Sequence, residues 1–280
     1  MQVEVTDRVK LTVLVDNNTY IDEYYFGEPA ASYYIETEDK CILFDTGYSD
    51  IFLKNAQKKG IDLNRLTHIV LSHGHDDHTR GLTYLSEKVA LSKVKLIAHP
   101  DCFCPKYSGE LYIGSPYSEN EIKAIADYHP CEKTYHITDK LIFLGEIPRK
   151  NQFENQSPIG KYEKKGTLLD DYLLDDTALV YKADKGIFII TGCSHSGICN
   201  IISYAKEVCG DERVLGVLGG FHLLEDNEQL RQTISYLKAC KIEQLYPCHC
   251  VSLLAKARMM EELPVVEVGV GMELEIGCRR

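Results

Sequence analysis

Short apolar runs closed by turn signals dominate the first hundred residues. Residues 11–15 form a β-branched run that stops at Asp16-Asn17-Asn18, Ser32–Glu36 alternates, and Cys41–Phe44 closes on Asp45-Thr46-Gly47. Each predicts a strand followed by a turn. Apolar positions then recur at helical spacing over Ile51–Lys59 and stop at Gly60. Residues 68–71 read as a buried strand, 81–88 as a short helix and 94–98 as a strand. From Pro100 to Asp170 the pattern weakens, with strand-like runs only at 136–137 and 141–144. This predicts a large excursion, about 100–170, with 151–166 as its most mobile part and a lid or a dimer contact as its use. Regularity then returns. Strands are predicted at 178–181, 186–190, 214–218 and 242–246, helices at 197–209, 228–240 and 253–262, and closing strands at 265–270 and 272–276. No linker divides the chain. The pattern predicts a single domain over 1–280, of α/β (α+β) class, with two packed sheets covered by helices.

Composition narrows the partners. A chain of 280 residues can bury roughly three quarters of its unfolded surface and needs no disulfide framework. Acidic residues outnumber basic ones 42 to 31, a net charge of −11, which counts against a nucleic-acid partner. The N-terminus lacks a basic segment followed by an apolar one, and no run approaches the ~18 apolar residues of a membrane span. Cys278-Arg279-Arg280 is not a lipidation box. A cytoplasmic setting is therefore expected, with no membrane partner and with reduced thiols. Ten His and eleven Cys stand out, and an odd cysteine count cannot pair completely within one chain.

The chemistry gathers at His73-Gly74-His75-Asp76-Asp77-His78, directly behind the strand at 68–71. In extended chain, residues two apart point the same way, so His73 and His75 can converge on one metal. Asp77 and His78 follow a tight turn and can face a second. Imidazole and carboxylate suit zinc, iron or manganese. A solvated polar loop is the ordinary alternative, but this density of ligands behind a buried strand is rare.

The His-x-His-x-Asp-His spacing resembles the signature of the metallo-β-lactamase superfamily. That resemblance implies a four-layer αβ/βα sandwich with two mixed sheets. It implies two divalent metal ions, zinc foremost, held by His73, His75, Asp77, His78, His195 and His249. Asp45, in Asp45-Thr46-Gly47, matches the family's upstream Asp, which supports the metal site through hydrogen bonds to its ligands. Gly192-Cys193-Ser194-His195 lies where the family has Gly-Asp, so Cys193 occupies the place of a bridging Asp. Either Cys193 or His195 could be the ligand; His195 is favoured, with Cys193 a possible ligand or redox-sensitive neighbour. Pro247-Cys248-His249-Cys250 is similar to the family's closing Pro-Gly-His-Gly. There His249 is read as the ligand and both cysteines as packing, pointing opposite to it. Further motifs are similar to one branch: Gly219-Gly220-Phe221-His222-Leu223, Gly145-Glu146-Ile147-Pro148-Arg149 and Phe153-Glu154. That branch resembles the archaeal 7,8-dihydropterin-6-methyl-4-(β-D-ribofuranosyl)aminobenzene 5′-phosphate synthases. Departures at Gly27–Ser32, Arg80 and Val251-Ser252 bear on the substrate.

The expected activity is a metal-dependent hydrolase or transferase for a small phosphorylated or pterin-like anion. Asp77 would hold the attacking water, and His222 would protonate a leaving group or bind phosphate. Arg149 and His99 are candidate substrate contacts. A phosphodiesterase or nuclease of the same superfamily is one alternative, and the charge counts against it. A di-iron redox or oxygen-sensing protein is another, although its relatives usually carry Glu where His75 stands. A homo-oligomer is possible through the excursion.

Overall fold

The computed structural model describes residues 9–154 and 157–277. The N-terminal segment 1–8 and Cys278-Arg279-Arg280, on which the targeting and lipidation readings fall, lie outside the described residues.

Two mixed sheets face each other. The first runs Glu273–Ile276, Val9–Val15, Ser32–Glu36, Cys41–Phe44, His68–Val70, Lys95–Ala98 and Asp127–Pro130 in spatial order. Its first four strands pair antiparallel, and its last four pair parallel. The second runs Gln244–Pro247, Val214–Gly219, Gly186–Thr191, Ala178–Ala183, Leu141–Phe143 and Tyr135–His136. Here Gln244–Pro247, Val214–Gly219 and Gly186–Thr191 are parallel, and the remaining pairs are antiparallel.

Period-two alternation decides which side chain faces which layer. Tyr33, Ile35, Ile42 and Phe44 pack between the sheets with Leu179, Phe188, Ile190 and Tyr246. Tyr34 and Leu43 point the other way, onto the helices Ile51–Lys59 and Leu82–Lys88 through Phe52, Ala56, Leu82 and Leu85. On the far side Val180, Ile187, Ile189 and Val217 pack against Ile201, Ile202, Leu230, Leu237 and Met259 of the helices Ile198–Cys209, Glu228–Ala239 and Leu253–Met260. The result is the expected helix–sheet–sheet–helix sandwich. Among the described residues, no helix is long and apolar enough to cross a membrane.

The segment 100–170 is not one excursion. The helix Glu119–Ile125 and the strand Asp127–Pro130 extend the first sheet, while Tyr135–His136 and Leu141–Phe143 extend the second. Only Thr167–Asp170, Lys161–Lys164, Lys106–Ser108 and Leu111–Tyr112 stand apart, as a small antiparallel sheet. Lys161–Lys164 is paired on both sides within the stretch expected to be most mobile. The helix Glu119–Ile125 carries a reciprocal Ser118–Glu121 capping box, a local signal the weak apolar periodicity hid. Residues 265–270 do not form the predicted strand. Val265 and Val270 make isolated bridges to Leu245 and Thr19 only.

Candidate metal centre

The carboxyl ends of the parallel strands meet at one edge of the sandwich, where open α/β sheets place their ligands. Cys41–Phe44 ends at Asp45, and His68–Val70 leads to Ser72 and His73. Gly186–Thr191 leads to Cys193 and His195, Val214–Gly219 to His222, and Gln244–Pro247 to His249. Asp45, Ser194, His222 and His249 all have φ between 48° and 61°. Left-handed backbone at such residues is uncommon and clusters at functional sites. Close packing there excludes a side chain at Gly192, where a Cβ would lie 2.1 Å from Ser72 Oγ.

Asp45 ties the first ligands together. Its Oδ1 accepts the Ser72 N–H at 2.7 Å, and its Oδ2 accepts Ser72 Oγ–H at 2.7 Å and lies 2.7 Å from His78 Nδ1. This fixes the His78 ring with Nε2 toward the site, and Ser72 Oγ in turn lies 3.0 Å from His73 Nδ1. From the end of strand Val9–Val15 in the same sheet, Asp16 Oδ1 reaches across to accept the His249 N–H at 2.7 Å, and Asn17 Oδ1 lies 3.2 Å from His249 Nδ1.

Two ligand groups result. His73, His75 and His195 bring their donor atoms within 4.8 Å of one another, and so do Asp77, His78, Cys193 and His249. In the second group Cys193 Sγ lies 3.2 Å from both His78 Nε2 and His249 Nε2. Asp77 Oδ2 is 3.4 Å from His78 Nε2 and 3.2 Å from His249 Nε2. Tetrahedral ligands at zinc-type bond lengths sit roughly 3.3–3.8 Å apart, so these spacings match a metal site. The groups adjoin, with the His73 ring centroid 4.3 Å from that of His78. His73 Nε2 and His75 Nε2 are buried without a hydrogen-bond partner. Buried polar atoms are ordinarily paired, so these two nitrogens fit a metal that completes them.

The electrostatics agree with that fit. Burial, reinforced at His73 by the neighbouring histidines, lowers the pKa of His73 strongly and that of His75 to about 4. Both are therefore neutral at pH 7, the form that ligates. Burial opposes ionisation of Asp77, but His78 and His249 outweigh it and hold the carboxyl well below its usual range. Burial pushes the Cys193 thiol well up. A cation at its sulfur is what would make it a thiolate.

Not every expected residue lines the centre. His222 does adjoin it, with its ring 4.5 Å from that of His195. His99 is instead buried, and its Nδ1 accepts the Asp101 N–H, capping the short helix Pro100–Phe103. Arg149 donates from Nη2 to the Leu173 carbonyl at 2.9 Å and to that of Tyr172. Both side chains are thus engaged in local structure. The two outer cysteines of Cys248-His249-Cys250 do not point the same way. The strand ends at Pro247, and the left-handed turn at His249 sends Cys248 Sγ to the Tyr33 hydroxyl at 3.2 Å and Cys250 Sγ to the Cys193 carbonyl at 3.5 Å. Asp16, Asp175 and Asp176 went unnoticed in the sequence. The first lay in an evident turn signal, and the others are an acidic pair in a connecting segment.

Comparison with known proteins places this geometry. The family model of the metallo-beta-lactamase superfamily matches residues 25–110. An uncharacterized protein of Methanocaldococcus jannaschii is 36% identical over 256 residues, covering 90% of this chain and 94% of the relative. The chain belongs to the metallo-β-lactamase superfamily. A second M. jannaschii relative, 7,8-dihydropterin-6-methyl-4-(β-D-ribofuranosyl)-aminobenzene-5′-phosphate synthase, is 28% identical over 277 residues, 94% of either chain. A crystal structure described as a metal-dependent hydrolase of the β-lactamase superfamily matches with a TM-score of 0.83 and 30% identity. It covers 96% of this chain and is itself covered completely. The four-layer fold and the likeness to the pterin-pathway synthase expected from the motifs thus both stand.

Proposed function

We propose that this superfamily member is an enzyme that uses two divalent ions, zinc foremost, on a small phosphorylated or pterin-like anion. The observation that carries this reading is the pair of adjoining ligand groups with buried, unpaired His73 Nε2 and His75 Nε2. His73, His75 and His195 would hold one ion, and Asp77, His78, Cys193 and His249 the other. Bound there, such ions supply positive charge that polarises a phosphoryl or carbonyl oxygen and makes water more acidic. The chain's own residues do the positioning. Asp77, ionised and partly exposed, accepts a hydrogen bond from the attacking water or amine and orients it. His222 has its pKa lowered by burial, so it acts as a neutral N–H donor toward a leaving oxygen rather than as a stored acid. The −11 charge leaves the ions as the attraction for an anionic substrate and sets a nuclease role second.

Hydrolase and transferase differ in the acceptor, water or an aryl amine. The relative that carries a synthase name supports the second, and the structural relative described as a hydrolase supports the first. Turnover of a panel of phosphoesters and of a pterin-methyl diphosphate, with and without an aryl amine, separates them. His75→Ala is expected to abolish turnover and metal content at the three-histidine group. Full metal occupancy in that variant would sink the assignment.

A further inference from the structure

Three consecutive residues in the connection before strand Ala178–Ala183 hold the backbone around all three histidines of one ligand group. Asp175 Oδ2 accepts the N–H of Gly74, the residue between His73 and His75, at 2.8 Å. Asp176 Oδ2 accepts the N–H of Ser196, the residue after His195, at 2.8 Å, and also its hydroxyl at 2.5 Å. The Thr177 N–H donates to the carbonyl of Ser72, the residue before His73, at 2.9 Å. All three residues are buried.

This segment is itself fastened from two sides. The Lys106 ammonium, 1% exposed, bonds Asp175 Oδ1 at 3.1 Å and Asp171 Oδ2 at 2.9 Å. Arg149 holds the Leu173 and Tyr172 carbonyls, and Leu173 takes φ 51° to make the turn. A buried ammonium and buried carboxylates are costly unless paired, and here Lys106 pairs with both Asp171 and Asp175 while Asp175 keeps its other oxygen for Gly74.

We infer that Asp175 and Asp176 are positioning residues that set the three-histidine metal site, with Lys106 and Arg149 as their anchors. The inference rests on the two-ion reading. It also distinguishes the two groups, because in the other one His78 hangs on Asp45 and His249 on Asp16. Loss of such supporting hydrogen bonds typically weakens a metal site by about 10–100-fold.

The test uses the full chain loaded with cobalt(II) and titrated with a chelator. Total retained cobalt reads both groups, and the thiolate-to-cobalt absorption band reads the Cys193 group alone. Asp175→Asn puts an amide N–H₂ against either Gly74 N–H or Lys106. Together with Asp176→Ala, it is expected to release one ion at about 10–100-fold lower chelator while the band persists. Asp176→Asn keeps an oxygen for Ser196 and should recover most of the loss. Arg149→Lys, which lacks the planar guanidinium fork that spans the Tyr172 and Leu173 carbonyls, should show a smaller loss at the same site and remains informative if Asp175→Asn does not fold. Release of both ions at the wild-type chelator concentration, or loss of the band first, would overturn the inference. A wild-type chain that holds no cobalt would instead overturn the two-ion reading, and the inference would fall with it.

Discussion

The two ligand groups share one edge of the sandwich yet are built differently. His73, His75 and His195 form a nitrogen-only set, held through backbone amides and a carbonyl that neighbouring residues grip. Asp77, His78, Cys193 and His249 form a mixed set of carboxylate, imidazole and thiol, in which Asp45 holds the His78 ring nitrogen and Asp16 the His249 backbone amide. A nitrogen-only set asks for neutral imidazoles, which burial already provides. A set containing a buried thiol asks for a cation before that ligand exists in its binding form. The first group is ready-made, and the second is completed by what binds it.

The largest expected effect comes from His73, whose ring touches both groups. His73→Ala should lose the ion of the nitrogen-only set and all turnover, as read by elemental analysis and activity. A variant with full metal would erase the distinction between the groups. Asp45→Ala should act mainly on the mixed set, lowering its metal affinity by about 10–100-fold in a chelator titration. The same change leaves the buried Ser72 N–H unpaired, at a cost of about 1–3 kcal/mol in a denaturant melt. Equal weakening of both ions would show that Asp45 serves the whole centre.

The smallest effect tests the strand that carries the motif, at the end away from the ligand groups. Burial, with nearby Lys95 next, lowers the pKa of His68 to about 4. The unfolded chain then binds a proton near pH 6.5 that the folded chain takes up only near pH 4. Stability contributed by neutral His68 is present above that window and falls as pH drops through it. His68→Gln should flatten this part of the stability profile in denaturant melts between those pH values. An unchanged profile would remove His68 as the source.

Much of the site was legible because its residues stand in compact motifs behind apolar strands. His73 to His78 is the clearest case, and Asp45, His195 and His249 each follow a run whose strand character local pattern reveals. The clamps were illegible for the opposite reason. Gly74 and Asp175 are far apart in sequence, and a hydrogen bond between a backbone amide and a distant carboxylate leaves no periodic trace. Strand alternation alone would send Cys248 and Cys250 the same way, but the strand ends at Pro247 and the backbone turns left-handed at His249. The 100–170 segment looked unbroken because its strands are short and its helix has one turn of apolar contact. Its pieces add to both main sheets, and its Gly114 bridges to His75, so part of it borders the site.

The central claim is that two unlike sites lie side by side, with Cys193 a ligand in the second. Elemental analysis of anaerobically purified chain, paired with the spectrum of its cobalt form, tests it most directly. The account predicts two divalent ions per chain and a thiolate-to-cobalt band. Cys193→Ser should lose that band while it keeps the ion of the nitrogen-only set. At most one ion in the wild-type chain, or a band that survives Cys193→Ser, would contradict it.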